Sequence, residues 1–493
     1  MNFSHTKNQY LTSFKNKHNF IFFKKIKKFK SDPIPEFINI VENNNFSFLY
    51  ESVEKGKEKG RYSICGYNTI KTIQINNRKK AKEKKLSSTN KNAFLKIDRT
   101  ISKYKFLKDK KLPPMAGAFF GYISYENIYN IEDISKFKKK NTLMTPELIL
   151  FIPQILIVYD NVSNSLYILK HFLSGVKKAQ EYEQVLNELN DIENNLYKKV
   201  NNHTINLNKK KRLKIKSNIT KSKFINNIKK AKKYIKAGDI FQVVPSQRFE
   251  TNFKSKGSSL YKVLRLTNPS PFMYYFNLPN FQIVGSSPEI LVRLRSDLIT
   301  LRPIAGTRPR GKNIKQDRKY ELDLLSDEKE TSEHLMLLDL GRNDVGKVAK
   351  KSTVSVTAKF IIEKYSHVMH LVSNVTGKLK KNISTIEALM AGFPAGTVSG
   401  APKIRAMQII DELETDVRGI YAGGIGYISP DGDMDTCIVL RTGIITKNKL
   451  YVQAGGGVVY DSDPELEYME TVNKAKAVLN AAEIVLGNNL WYC

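Results

Sequence analysis

Two pairs of glutamates, each with a spacing of three residues, stand in segments whose patterns predict helices. Glu330 and Glu333 lie in DEKETSEHLMLLDLGRND (327–344), and Glu467 and Glu470 lie in ELEYMETVNKAK near the end of the chain. On a helix this spacing points both carboxylates of a pair from one face. One such pair is usually a solvated acidic face. Two pairs supply the oxygen ligands that Mg²⁺ prefers and leave positions for water and substrate, so we predict a Mg²⁺ site.

Glycine-rich loops and cationic side chains accompany these acidic segments. The GGG at 455–457 closes a strand, and without Cβ atoms its backbone N–H groups can approach an anion closely. Lys474 lies one helical turn beyond the last glutamate, and AGTRPRG (305–311) and PAGTVSGAPK (394–403) add hydroxyls and cations. Arg441, if buried, needs an acid or an anionic ligand. Each feature alone is compatible with a turn or a surface loop; together they predict a small polyanionic ligand.

Three polar residues lie in or between apolar segments that resemble strands. Glu289 in GSSPEI stands between two such segments, where burial would raise the pKa of its carboxyl and make it a proton donor; the alternative is a salt-bridged edge carboxylate. His370 in VMHLV is either a core histidine or one of few catalytic candidates, because the chain has only seven histidines. Gln242 in IFQVVP is either a structural hydrogen-bonding group or a neutral contact to substrate.

Several other classes of protein are not predicted. There is no GxSxG, no GxGxxG after a strand and no GxxxxGK[ST], so nucleophilic catalysis and nucleotide use are unsupported. The net charge of +34 comes mainly from lysines spread through loops, without a zinc finger, RNP motif or basic zipper, so no nucleic-acid binding is expected. The cysteines Cys65, Cys437 and Cys493 form no CxxC, which argues against disulfides and zinc and favours a reducing compartment.

No membrane or secretory segment is predicted. The N-terminal FIFFKKIKKFK has only four consecutive apolar residues, too few for a signal peptide. The most apolar run, at 148–159, is too short to span a bilayer and is typical of a buried strand. We therefore expect a cytoplasmic protein without a membrane segment.

The order of the predicted elements indicates two domains. Residues 1–30 are lysine-rich and expected to be loosely held, 77–92 is a charged loop, and 200–222 is the best candidate linker. We place an N-terminal domain at 1–205 and a C-terminal domain at 223–487.

Strands and helices are predicted in separate blocks. Strands are predicted at 46–52, 61–67, 116–126, 148–159 and 165–173, a helix at 181–198, a strand pair within 361–379, and strands at 420–429, 435–446 and 449–459. In the strand at 435–446, Arg441 would alternate with Val439 and Gly443. Because helices and strands do not alternate strictly, we predict an α+β fold with mainly antiparallel sheets.

Ten segments of the second half carry a resemblance to a known family. In order they are DIFQVVPSQR, NPSPFMYYF, IVGSSPEILV, LRPIAGTRPRG, DEKETSEHLMLLDLGRND, YSHVMHLVS, GFPAGTVSGAPK, YAGGIGY, DTCIVLRT and QAGGGVVYDSDPELEYMET. Together they resemble the chorismate-utilising enzymes, and within that family the component I type of anthranilate synthase. The first half matches through FLYESVEKGKEKGRYSICG and GAFFGYISYE. The resemblance implies a two-domain α/β sandwich and a Mg²⁺-dependent conversion of chorismate to anthranilate and pyruvate.

The resemblance also implies roles for the candidate residues. Glu333 and Glu470 would be the main metal ligands, with Glu330 and Glu467 acting through water. The two carboxylates of chorismate would be held by Gly306, Thr307, Tyr421, Arg441, Gly455, Gly456, Gly457 and Lys474. Glu289 would protonate the departing C4 hydroxyl as ammonia adds at C2, and His370 and Thr397 would serve the elimination of pyruvate. Relatives that form isochorismate or aminodeoxychorismate tend to carry a lysine at the position of Gln242, so the neutral amide favours direct addition of ammonia.

FLYES resembles the family's LLES signature of tryptophan feedback inhibition. The implied tryptophan-binding residues are Glu51, Ser52, Asn268, Pro271, Phe272 and Met273. Tyr50 stands where the family has leucine and Phe272 where it often has tyrosine. The acid and the hydroxyl are kept, so we expect feedback inhibition to persist.

The resemblance implies a partner, because the chain has no glutaminase domain. Ammonia would come from a separate glutamine amidotransferase subunit in a hetero-oligomer. Three alternatives remain open from the sequence: an isochorismate- or aminodeoxychorismate-forming enzyme on the same scaffold, a basic nucleic-acid-binding protein, and a degenerate paralogue kept as a subunit or regulator.

Overall fold

The structure is a computed structural model. It describes residues 3–16, 18–53, 60–76, 91–107, 109, 111–134, 139–174, 180–198, 204–365 and 368–490. Most of the expected charged loop, at 77–90, lies outside the described residues, and a helix begins at Lys91. In the described part of the chain, no helix is long and apolar enough to cross a membrane.

The elements are numbered in chain order. The strands are β1 (Phe20–Ile26), β2 (Ser47–Glu51), β3 (Tyr62–Ile75), β4 (Phe119–Ile123), β5 (Leu148–Asp160), β6 (Ser165–Phe172), β7 (Lys216–Ser217), β8 (Gln242–Val243), β9 (Ser246–Asn252), β10 (Phe272–Leu278), β11 (Phe281–Ser287), β12 (Ile290–Arg295), β13 (Leu298–Leu301), β14 (Ile304–Pro309), β15 (Ser355–Lys364), β16 (Val368–Lys378), β17 (Gly400–Ala401), β18 (Gly424–Ile428), β19 (Met434–Ile438), β20 (Thr442–Thr446) and β21 (Lys449–Gly455). The α-helices are α1 (Lys7–Lys15), α2 (Ile34–Asn43), α3 (Lys91–Ser102), α4 (Ile128–Ile131), α5 (Tyr182–Tyr197), α6 (Lys221–Lys236), α7 (Gly257–Thr267), α8 (Ile314–Ser326), α9 (Glu328–Val348), α10 (Thr385–Gly392), α11 (Lys403–Leu413) and α12 (Pro464–Gly487).

Two antiparallel sheets share the long strand β5. The first sheet runs in the order β1–β6–β5–β3–β2–β10–β11–β20–β21–β9–β7. The second runs β5–β4–β18–β19–β12–β13–β16, with β14 and β15 also paired to β16. One edge of β5 pairs with β4 near its start and with β6 near its end, so this strand bridges the two sheets.

Helices cover the sheets and complete a layered sandwich. Phe48 and Phe276 of the first sheet and Phe120 and Tyr427 of the second belong to one buried cluster. Helices α2, α5, α7 and α12 pack on the first sheet, and α9 and α10 pack on the second. The expected α+β fold with mainly antiparallel sheets is confirmed. Strands of both sequence halves pair, β2 with β10 and β4 with β18, and the division at 1–205 and 223–487 stays a prediction.

The N-terminal segment corrects one expectation. Residues 1–30 were expected to be loosely held, but α1 is followed by β1, which pairs with β6 along its whole length. Phe20 and Phe22 are buried there, and Lys24 forms an ion pair with Glu193 of α5. The lysines therefore do not indicate a loose segment. A carboxylate neutralises the buried Lys24, and the aromatic side chains of the same strand enter the core.

The prediction of one continuous strand at 435–446 is also wrong. The structure has two strands there, β19 and β20, separated at 439–441. Arg441 has a φ of 48°, in the left-handed region, which a continuous strand does not permit. Arg441 consequently does not alternate with Val439 and Gly443 on one strand.

Candidate active site

Both glutamate pairs lie near the amino ends of capped helices. Asp327 caps α9 by accepting from the N–H of Glu330 at 3.0 Å. Asp463 caps α12 by accepting from the N–H groups of Glu465 and Leu466, both at 2.9 Å. The caps satisfy free N–H groups, and the helix dipole stabilises negative charge at these ends. The helices expected from the sequence are therefore present and begin just before the acids.

The two helices bring their acids toward each other. Burial raises the pKa of Glu333, with the charges of Glu330 and Glu470 adding to the rise, while a hydrogen bond from Gln242 Nε2 to Glu333 Oε1 of 2.7 Å opposes it. Burial also raises the pKa of Glu467 to about 7, with Glu470 contributing in the same direction. The carboxylates of α9 and α12 thus repel one another across a shared space.

The acids fit a hard cation by their chemistry. Glu467 Oε1 accepts from Ser462 Oγ at 2.7 Å, but the buried Glu467 Oε2 has no hydrogen-bond partner within the described ranges. An unpaired buried carboxylate oxygen is costly unless a cation or water reaches it. No three His, Cys, Asp or Glu side chains of the described residues form a ready-made metal cage. The glutamates therefore suit a cation that takes its remaining oxygen ligands from water and from a bound ligand.

Two further contacts hold these glutamates. Arg308 Nη1 lies 3.3 Å from Glu330 Oε1, and Arg308 Nη2 lies 2.7 Å from Asp327 Oδ2. Lys474 Nζ lies 2.6 Å from Glu470 Oε1 and 3.1 Å from the carbonyl oxygen of Gly455. The sequence does not predict the contacts that Ser462 and Arg308 make with these acids, although Arg308 belongs to the AGTRPRG loop. Ser462 carries no sequence signal beyond its place just before a helix.

The glycine turn at the end of β21 lies between the candidate residues. A Cβ added to Gly455 would lie 2.8 Å from Tyr421 Oη, and one added to Gly456 would lie 3.0 Å from Glu467 Oε2. At Gly457 a Cβ would lie 2.7 Å from Gln242 Nε2. Any larger residue would fill this space, so the turn permits the close approach that the GGG pattern predicts.

Glu289 lies between β11 and β12 and is buried. Burial raises the pKa of its carboxyl to about 8, in the direction that its place between apolar strands predicts. Thr397 Oγ1 lies 3.1 Å from each carboxyl oxygen, and its donation opposes the rise, as do the charges of Lys474 and Arg441. At neutral pH the carboxyl is therefore mostly protonated and able to donate.

His370 lies on β16 beside the bulge in β14. Its Nδ1 is 3.0 Å from the carbonyl oxygen of Gly306 and 3.0 Å from Thr307 Oγ1. A carbonyl oxygen can only accept, so Nδ1 carries the proton and Nε2 is left with a lone pair. Burial lowers the pKa of the imidazole to about 4, and the charge of Arg441 acts in the same direction. His370 is therefore neutral at physiological pH.

Gly306 and Arg441, which lie near His370, both have positive φ angles. At Gly306, with φ 67°, an added Cβ would lie 3.3 Å from Glu330 Oε2, so the β14 bulge reaches the acidic helix α9. Burial lowers the pKa of the Arg441 guanidinium, and Tyr365 and Glu289 act in the opposite direction. Because the Glu289 carboxyl is mostly protonated, the desolvated guanidinium is suited to an anionic ligand.

The residues implied in tryptophan binding meet at the ends of three elements. Glu51 of β2 pairs in register with Met273 of β10, and its carboxylate accepts from Arg265 Nε at 2.7 Å. Among the residues that the structure describes, none forms a hydrogen bond with the buried Ser52 Oγ. Asn268 caps α7, and its carbonyl accepts from Ser286 Oγ at 2.6 Å. Pro271 and Phe272 are buried between them at the start of β10.

Comparison with known proteins identifies relatives that align over most of the chain. The family described as chorismate binding enzyme matches residues 45–480. Anthranilate synthase component 1 of Cereibacter sphaeroides is 45% identical over 464 residues, and that of Aquifex aeolicus is 43% identical over 458 residues; each match covers 92% of both chains. The crystal structure of anthranilate synthase component I from Streptococcus pneumoniae TIGR4 superposes with a TM-score of 0.73 at 36% identity, covering 86% of this chain and 95% of that one.

The fold extends to more distant proteins. The menaquinone-specific isochorismate synthase from Escherichia coli superposes with a TM-score of 0.69 at 18% identity, covering 96% of this chain and 100% of that one, which is a likeness of fold alone. The family match, by contrast, spans most of the sequence and includes every candidate residue, from Glu51 to Lys474. Because it does, and because a relative of 45% identity aligns over 92% of the chain, this protein belongs to the chorismate-binding enzymes.

Proposed function

We propose that the chain is the component I subunit of an anthranilate synthase, which catalyses the first committed step of tryptophan biosynthesis. Ammonia adds at C2 of chorismate while the C4 hydroxyl leaves as water, and elimination of pyruvate then gives anthranilate. The observation that supports this most is the buried Glu289 carboxyl with a pKa of about 8 beside Thr397. A protonated acid is needed because hydroxide is a poor leaving group.

Two side chains, an acid and a neutral amide, act in the first step. Glu289 donates its proton to the departing C4 oxygen, and Thr397 orients the carboxyl by contacting both of its oxygens. Gln242 donates to Glu333 and cannot accept a proton as a lysine base could. A site without such a base favours ammonia, which is already a nucleophile, over water. The isochorismate-forming alternative is therefore disfavoured.

The substrate carboxylates are held by the cationic and glycine-rich groups around these residues. Arg441 and Lys474 supply positive charge, and the glycine turn and the β14 bulge allow a ligand to approach the backbone closely. Tyr421 and Thr307 add hydroxyls near Gly455 and His370 respectively.

A Mg²⁺ ion completes the site in this proposal. Glu333 and Glu470 would bind it directly, and Glu330 and Glu467 through water. When bound, it would neutralise a substrate carboxylate and polarise the ring system. The fit rests on the mutual repulsion of the four carboxylates and on the unpaired Glu467 Oε2.

The second step needs a base, and His370 has the required form. Its neutral imidazole can accept the C2 proton at Nε2 while the bond between the ring and the enolpyruvyl oxygen breaks. His370→Ala is expected to slow pyruvate release about 100-fold while amination at C2 continues. Rapid quenching with chromatographic separation would then detect the aminated intermediate. Anthranilate formed at the normal rate would refute this role.

Tryptophan is proposed as the feedback inhibitor, bound at Glu51, Ser52, Asn268, Pro271, Phe272 and Met273. The Ser52 hydroxyl, which has no partner in the described part of the chain, could bond to a polar group of the effector. Ser52→Ala is expected to raise the tryptophan concentration for half-inhibition about tenfold, because one buried hydrogen bond is lost. The rate of each protein, relative to its own uninhibited rate, is measured against tryptophan concentration. Equal sensitivity of variant and wild type would exclude Ser52 from the effector site.

The partner and the compartment follow from the same proposal. A glutamine amidotransferase subunit supplies ammonia in a hetero-oligomer. Cys65 and Cys437, the two cysteines that the structure describes, are buried and form no disulfide with each other. The reducing cytoplasm is the proposed compartment.

Turnover of chorismate by the purified chain tests the proposal. The chain is mixed with Mg²⁺ and ammonium at mildly alkaline pH, and anthranilate is followed by fluorescence. Anthranilate that appears, and falls when tryptophan is added, is the expected result. Consumption of chorismate without anthranilate would contradict the proposal and favour an enzyme that makes another product. No consumption at all would favour a degenerate subunit.

A further inference from the structure

Arg418 is a buried arginine in the turn between α11 and β18, only 1% exposed. Its Nε and Nη2 donate to the two carboxyl oxygens of Glu414, at 2.9 and 2.7 Å. Its Nη1 donates to the carbonyl oxygen of Val398 at 2.7 Å, and Nη2 also donates to that of Val244 at 2.6 Å. One guanidinium therefore joins a carboxylate and two separate backbone segments.

Each segment that Arg418 joins carries a candidate active-site residue. Val398 follows Thr397 in a single 3₁₀ turn. Val244 comes directly after β8, which begins with Gln242, and the next carbonyl, of Pro245, accepts from the N–H of Gly456 at 3.2 Å. The Arg418 guanidinium also stands 5.6 Å from the ring centre of Tyr421.

The surroundings of Arg418 are themselves held rigidly. Glu414 Oε1 accepts from the N–H and the Oγ of Ser246, both at 2.8 Å. From the first half of the chain, the buried Glu126 accepts from the backbone N–H groups of Arg418 and Gly419, at 2.8 and 2.9 Å. A planar guanidinium can reach these acceptors at once, whereas the single ammonium of a lysine cannot.

We propose that Arg418 is a positioning residue, which holds the turn of Thr397 against Glu289 and the segment of Gln242 against Glu333. Arg418 touches neither of these acids, so it acts through Val398 and Val244. The inference rests on the proposed anthranilate-forming function.

Arg418→Lys tests the inference through the rate and its pH dependence. We expect kcat/KM for chorismate to fall about 30-fold, mainly through kcat, because Thr397 and Gln242 lose their fixed places. Thr397 lowers the pKa of Glu289 by donating to it, so the descending alkaline limb of the kcat profile should move to higher pH. The charged groups that face Glu289 are Arg441 and Lys474 and, around a small cavity, Arg302 and Asp344; the variant leaves all four in place.

Arg295→Lys is the matched control. Arg295 is partly buried, and its guanidinium likewise joins a carboxylate, that of Asp435, to two backbone carbonyls, at 294 and 434, but it reaches neither segment. The inference would be overturned if both variants lost rate and the alkaline limb of the kcat profile did not move. Such a result would mean that the substitutions affect only the stability of the core.

Glu414→Gln keeps the test decisive if Arg418→Lys does not fold. The amide offers one acceptor oxygen where the carboxylate offers two, so the Arg418 contact is weakened and not removed. We expect a loss of about tenfold in kcat/KM and a pH shift in the same direction. If the folded variants have wild-type rates and an unmoved alkaline limb of the kcat profile, the inference is wrong but the proposed function is unaffected. If the wild-type chain forms no anthranilate, the proposed function is wrong as well.

Discussion

Glu289→Gln is expected to lower kcat for anthranilate formation about 10³-fold. The amide keeps the size and the neutral charge of the protonated carboxyl but cannot pass a proton to the departing C4 oxygen. Chorismate binding should be retained, because Arg441 and the glycine turn are untouched. Steady-state fluorescence of anthranilate gives kcat, and equilibrium titration with chorismate gives the affinity.

The pH dependence of kcat provides an independent test of the role of Glu289 as an acid. Glu289 acts in its protonated form, and burial raises its pKa to about 8. The kcat of the wild-type protein, measured at a constant concentration of free ammonia, should therefore fall as pH rises through this region, and Glu289→Gln should lack that limb. Glu250→Gln, which alters a glutamate paired with Lys449 away from the site, is the control. A Glu289→Gln variant with the wild-type kcat would remove Glu289 from the mechanism.

Glu470→Ala is expected to lower Mg²⁺-dependent turnover about 10³-fold, since it removes a proposed direct ligand of the metal. Glu470 lies on α12 and its side chain is nearly half exposed, so the fold should remain intact. Rates are measured against Mg²⁺ concentration, and direct binding of Mg²⁺ is measured by calorimetry without turnover. Both should show weaker binding.

Glu465→Ala provides the comparison on the same helix. Glu465 lies in the first turn of α12, pairs with Lys221 at 2.6 Å and is mostly exposed. Its removal should leave the Mg²⁺ dependence unchanged. If Glu470→Ala binds Mg²⁺ as tightly as the Glu465→Ala control, the assignment of α12 to the metal site is wrong.

The corrected expectations share a physical origin. The high lysine content of residues 1–30 predicts a loose segment, although FIFFKKI in β1 includes a run of four apolar residues. The pairing with β6 and the contacts with α5 decide its burial, and both partners lie more than a hundred residues away. Arg441 likewise has an ordinary strand sequence around it, and its left-handed φ appears only in the folded chain.

Local spacing alone determined the parts of the site that depend on near neighbours. The pairs Glu330/Glu333 and Glu467/Glu470 face one way because helices repeat every 3.6 residues, and Glu289 is flanked by apolar strands that the pattern reveals. The α+β class also follows from the block order of strands and helices.

Only the tertiary structure decided which of these groups meet and in what protonation state. Thr397 contacts Glu289 across 108 residues of sequence, and Gln242 contacts Glu333 across 91. The Arg418 contacts that hold both segments likewise come from distant parts of the chain, including Glu126. A pKa of about 8 for Glu289 or about 4 for His370 arises from desolvation by whatever covers the group. Sequence spacing can nominate such residues, but burial and long-range contacts set their chemistry.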